Sequence, residues 1–157
     1  MGSGVAASYF LTLPIEAYGR TKQLGEGVNT LAEAFAVVHK TGEGLWEAEL
    51  YRLKGTLTLQ KFQVSGSKFQ MQNSPASEVR SPESEAEECF LKAIEIARRQ
   101  SAKSLELRAA ISLTRLWQQQ GKAQEAYHLL SEIYDWFTEG FDTADLKDAK
   151  TLLEELK

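Results

Sequence analysis

Two histidines, His39 and His128, each precede a glutamate by four residues (Glu43 and Glu132), the spacing that stacks side chains on one helical face. A metal site needs three or four convergent ligands, and nothing nearby adds a third to either pair. Both histidines therefore read as surface or helix-end residues. The single cysteine, Cys89, adjoins Phe90 and has no histidine close to it, which describes a buried, inert thiol. Gly25-Glu26-Gly27 and Gly42-Glu43-Gly44 look like pieces of a phosphate loop, but no strand pattern precedes them, so they read as turn signals. Glu85, Glu87, Glu88 and Glu95 crowd one helical stretch and read as its solvated face. No GxxxxGK[ST] loop is present. No catalytic constellation survives, and the sequence implies neither an enzyme nor a cofactor or metal.

Composition sets the frame for those residues. The 157 residues suffice for one domain with a buried core, at 43% hydrophobic and 25% charged. A net charge of −4 gives no general attraction to nucleic acid or anionic lipid. One cysteine excludes an internal disulfide and fits a reducing compartment. No apolar run reaches the roughly 18 residues of a membrane span, and the N-terminus lacks a secretion signal. The expectation is a soluble, cytoplasmic chain without nucleic-acid or membrane partners.

The elements that must position any site repeat along the chain. Gly27, Leu31 and Ala34 share spacings of four and three with Ala86, Phe90 and Ala93, and with Ala126, Leu130 and Ile133. Each trio falls on one helical stripe. A second set precedes them: Leu11, Ile15, Tyr18; Tyr51, Gly55, Thr58; Ala110, Thr114, Trp117. Successive shifts are 40 and 59 residues in the second set, and 59 and 40 in the trios. One period of 40, with 19 extra residues between Thr58 and Ala86, accounts for all four. The Ser- and Gln-rich stretch Lys61–Ser81, with Pro75 inside it, reads as that insertion, most simply a flexible loop. A short hairpin around Ser65-Gly66, pairing Phe62 and Val64 with Phe69 and Met71, is the alternative.

Periodicity predicts seven helices, near 7–21, 25–40, 44–61, 82–100, 102–120, 122–137 and 142–156. Ser81 precedes a first-turn Pro82, Gly121 punctuates the fifth and sixth helices, and Asp142-Thr143 opens the last. Pro14 calls for a kink or a later start in the first. Trp46, Tyr51, Trp117, Tyr127, Tyr134, Trp136 and Phe137 read as packing residues. The fold class is all-α.

Ala86, Phe90 and Ala93 resemble the second-helix signature of a tetratricopeptide repeat, and Gly121, five residues before Ala126, matches that family's turn. The first-helix signature is degenerate: Tyr51 with Gly55, Tyr18, and Leu113 with Trp117 keep parts of it, while Thr58 departs. The period of 40 exceeds the family's usual length of about 34. The segments Glu47–Leu57, Glu85–Trp117 and Trp136–Leu146 are similar to the C-terminal repeats of bacterial predicted ATPases and adenylate/guanylate cyclase-like signalling proteins. The resemblance implies one tetratricopeptide-like domain over residues 1–157, a right-handed α-solenoid of about three antiparallel helix pairs. Its repeats would cover 7–40, 44–100 with the insertion at 61–81, and 102–137, with a capping helix at 142–156. It also implies a fragment or a shortened relative of such proteins.

In that family the first helix of each pair lines a concave groove. The corresponding positions are Glu16, Arg20, Glu49, Arg52, Thr56, Gln60, Arg108, Ile111, Arg115 and Gln118. Arg52, Arg108 and Arg115 would then receive a carboxylate or an acidic peptide. The plainer and favoured expectation pairs them with Glu49 and Glu106, or leaves them to solubilise the groove. Function follows as a protein- or peptide-binding scaffold in a bacterial signalling system. The alternative is a ligand-less regulatory spacer or oligomerisation segment.

Val5, Tyr9, Phe10 and Leu13 give the chain an apolar start where upstream repeats would stack, so the sequence predicts a two-fold homodimer through that face. Sedimentation velocity should show a dimer forming with concentration; a strict monomer at high micromolar concentration sinks the idea.

Overall fold

The computed structural model describes residues 23–42, 44–65 and 80–157, and every regular element among them is helical. The first predicted helix, Pro14, the candidate groove residues Glu16 and Arg20, and the candidate self-association residues Val5, Tyr9, Phe10 and Leu13 lie outside those residues. Six α-helices follow: α1 Leu24–Thr41, α2 Glu47–Ser65, α3 Pro82–Arg99, α4 Lys103–Gln119, α5 Ala123–Tyr134 and α6 Ala144–Glu155. A 3-10 turn at Gly44–Trp46 leads into α2, so that helix starts three residues later than its periodicity predicts. None of the described helices is long and apolar enough to cross a membrane.

Local chemistry accounts for the helix ends. Ser81 sits in extended conformation ahead of Pro82, and its hydroxyl accepts the Ser84 N–H at 3.2 Å, satisfying one of the orphan donors of α3. At the end of α4, Gly121 takes a φ of +78°, and the Lys122 N–H reaches back to the Trp117 carbonyl at 2.9 Å. That six-residue closure requires a left-handed residue, which glycine supplies at no steric cost. The α3–α4 turn closes in the same way, with Ala102 N–H on the Ala97 carbonyl at 2.8 Å. There the left-handed residue is Ser101, at φ +55°. Of the two glycine pairs read as turn signals, Gly25 and Gly27 lie in the first turns of α1, while Gly42 ends that helix with φ +68°.

The insertion begins later than the sequence implies. Residues 61–65 continue α2, which places Phe62 and Val64 on a helix and excludes the hairpin that would pair them as a strand. The remainder, 66–79, is outside the described residues.

The periodic stripes are the buried faces. Leu31, Ala34 and Val38 of α1 pack with Leu50, Leu53 and Leu57 of α2 in one apolar cluster. Ala86, Phe90 and Ala93 of α3 join Leu113 and Leu116 of α4, Leu130 and Ile133 of α5, and Leu146, Ala149, Leu152 and Leu153 of α6 in the largest cluster. Ala48, Ile96, Ala97 and Leu105 form a third, at the α2–α3–α4 corner, covered by Trp46. Helices adjacent in sequence pack on one another throughout, and α2 also touches α4, as α4 touches α6. Trp46, Tyr51, Trp117, Tyr127, Tyr134 and Phe137 pack against these clusters. Trp136 departs from the expectation: it is 57% exposed, with its indole facing the Lys103 ammonium at 5.5 Å.

Helices α2 and α3 approach closely at Gly55. A Cβ there would lie 2.7 Å from Phe90 Cε1 and 3.1 Å from the Ala86 carbonyl oxygen, and Phe90 is only 1% exposed, so its ring has nowhere to turn. Overpacking of this kind costs about 1–3 kcal/mol, against about 1 kcal/mol of helix propensity gained over glycine. Gly55→Ala should therefore lower the denaturant midpoint, while Gly25→Ala, with open space around it, should raise it. Equal shifts of the same sign would mean that the Gly55 crossing is not tight.

Candidate functional site

Arg52, Arg108, Ile111 and Arg115 do converge, on a shallow cleft of about 360 Å3 whose remaining walls are Ser112, Ala144, Asp145 and Asp148. Three helices build it. Residues 108, 111, 112 and 115 recur at helical spacing on α4, α2 presents Arg52, and the first turns of α6 close the far side. Glu49 lies behind the cleft with its side chain 4% exposed. Thr56, Gln60 and Gln118 do not reach it: the Thr56 hydroxyl donates to the Arg52 carbonyl at 3.1 Å, and all three lie half-buried outside the lining.

A buried carboxylate is costly unless it is paired and hydrogen-bonded. Glu49 meets that demand twice. Arg52, one turn along, donates from Nε to Oε2 at 3.0 Å and from Nη2 to Oε1 at 2.7 Å, a two-pronged contact. Arg108, on α4, approaches Oε1 with Nη1 at 3.5 Å and gives Nε to Asp145 Oδ2 at 2.9 Å. Opposite charges thus link α2 to α4 and α4 to α6. Arg115 adds a second tie to α6, with Nη2 at 2.6 Å from both oxygens of Asp148. At 53% and 40% exposure that last pair is solvent-screened and contributes little to stability.

The favoured expectation of paired arginines is half right in its partners. Glu49 serves Arg52 and Arg108, as the sequence suggests, but Glu106 serves neither. It is 1% exposed and takes Arg98 Nε at 2.6 Å and Lys103 Nζ at 2.8 Å, away from the cleft. Its place is taken by Asp145 and Asp148, on the helix read from the sequence as a cap. Their spacing of three was the available signal, since it sets two carboxylates on one face of α6. Glu87 is another departure from the solvated-face reading: it is half-buried, accepts the Trp117 indole N–H at 3.0 Å and lies 3.5 Å from Lys122 Nζ.

The remaining reactive groups do not converge. His39 and His128 are exposed, and among the described residues no three His, Cys, Asp or Glu side chains are placed to hold a metal. Cys89 is buried; burial pushes its thiol up, with Glu85 and Glu88 adding to the rise and Lys54 opposing it. A thiol so held is a poor nucleophile at neutral pH. No family model, curated protein or solved structure matches the chain.

Glu106 makes the charge chemistry testable. Burial alone would raise its carboxyl, but the bonds from Arg98 and Lys103 and their positive charges outweigh burial and hold it below the ordinary glutamate value. A carboxyl depressed by folding stabilises the protein fully above its unfolded value, about pH 4.3, and loses that contribution as pH falls through the folded value. Glu106→Gln should cost about 1–3 kcal/mol at pH 7, a gap that narrows as acid is added. Melting curves from pH 7 to pH 3 would show it, and a pH-independent gap would assign the loss to packing.

Proposed function

We propose that the chain is a helical-repeat scaffold of the tetratricopeptide kind, which binds a protein or peptide partner along the face shared by α2, α4 and α6. The observation that carries this reading is the order of contacts. Alternate helices, α2 with α4 and α4 with α6, touch in succession as well as packing on their sequence neighbours. A stack joined in that way leaves one elongated face lined by the alternate helices, the surface on which such modules take extended ligands. The crossing of Gly55 over Ala86 and Phe90 adds support, since those residues carry the resemblance to the repeat signature. A right-handed solenoid of about three helix pairs belongs to this proposal, as does a cytoplasmic bacterial signalling assembly as the setting.

One observation favours the second reading, a ligand-less spacer. Each arginine of the cleft already meets a carboxylate of its own chain. Panning a random peptide library on the immobilised chain separates the two. The scaffold reading expects enriched peptides that add hydrogen-exchange protection to α2 and α4 and that lose binding to Ser112→Tyr, which fills the cleft from a half-buried lining position. No enrichment, or protection confined to other helices, favours the spacer.

A further inference from the structure

We propose that α6 is an in-chain competitor: Asp145 and Asp148 occupy the arginines of the cleft as the carboxylates of an acidic partner segment would. The inference rests on the scaffold reading and adds to it the chemistry of the partner and a form of self-restraint.

The cleft already displays which chemistry it accepts. Two carboxylates, three residues apart on α6, engage two guanidinium groups seven residues apart on α4. That arrangement is a short acidic helix seated on an arginine pair. The ties lie at the rim: Arg108 and Asp145 are 42% and 37% exposed, and Arg115 and Asp148 are 53% and 40% exposed. Water and solutes reach them, so an external carboxylate can compete. Arg115 uses only Nη2 on Asp148; Nε and Nη1 have no acceptor of this chain among the described residues. A guanidinium presents its five donors in a fixed fork, and with Nη2 held by Asp148 both two-pronged edges are taken up, so an external carboxylate gains a two-pronged contact only by displacing Asp148.

Charge balance explains why the native cleft holds such a partner weakly. Arg52, Arg108 and Arg115 bring three positive charges, and Glu49, Asp145 and Asp148 return three negative ones. An arriving acidic segment finds the guanidinium geometry without a net attractive field. Neutralising Asp145 and Asp148 restores that field. The fold should survive the change, because α6 is held independently by Leu146, Ala149, Leu152 and Leu153 in the core.

The test is fluorescence anisotropy with a labelled hexaglutamate peptide at low salt. Asp145→Asn with Asp148→Asn should bind it at least tenfold more tightly than the native chain, with affinity falling steeply as salt rises. Adding Arg115→Gln to that pair should abolish the gain. Equal affinity of the double variant and the native chain overturns the proposal, as does a gain that survives Arg115→Gln. Asp148→Asn alone leaves the Arg108–Asp145 tie in place and reads the freed Arg115 guanidinium by itself, should the double variant shed α6. If panning yields neutral or basic peptides on this face while hexaglutamate gains nothing, the scaffold reading stands and the competitor reading falls.

Discussion

Everything in this helix stack depends on how closely α2 can approach its neighbours. The helix is buried on several sides at once: against α1 through Leu53 and Leu57, against α3 through Gly55, and toward α4 through Glu49. Small residues at the crossing with α3 bring the backbones together, and the large ring of Phe90 fills the gap beside them. One period on, the positions of Gly55 and Phe90 hold Thr114 and Leu130, both fully buried. Added bulk at one of these positions goes with reduced bulk at the other, a trade that close packing favours.

Once α2 is placed, the electrostatics follow from its first turns. Glu49 is drawn into the junction with α4, where a lone carboxylate would be costly. Arg52 offsets part of that cost locally, and Arg108 carries the compensation across to the neighbouring helix. Asp145 then balances Arg108. The cleft is therefore a by-product of stacking as much as a designed surface, which is why a reading as spacer and a reading as scaffold draw on the same residues.

The sequence made the scaffold of elements plain and its polar contacts obscure. Spacings of four and three located the buried stripes of α1, α3 and α5, and the punctuation at Ser81-Pro82 and Gly121 fixed helix ends to within a residue or so. Those signals are local, carried by side chains within two turns of one another. The true partners of Arg108 and Arg115 lie 37 and 33 residues further along the chain, and no helical period points to them. Trp136 was misplaced for a similar reason. Its spacing fits a helix that instead ends at Tyr134, leaving the indole in a connection where periodicity says nothing. Ser101 adopts a left-handed turn without the glycine that would announce it.

Glu49 and Arg108 stand 59 residues apart, one period of 40 plus the 19 extra residues, so they share a register in the sequence with opposite sign. Asp145 meets Arg108 on the next helix, and the sequence of signs along the stack is negative, positive, negative. Alternation of this kind fixes which helix can lie between the other two. Joining α2 directly to α6 would set the Glu49 carboxylate against that of Asp145, whereas α4 between them keeps unlike charges in contact at both joints. The order of these three helices is thus marked by single charged residues at their joints.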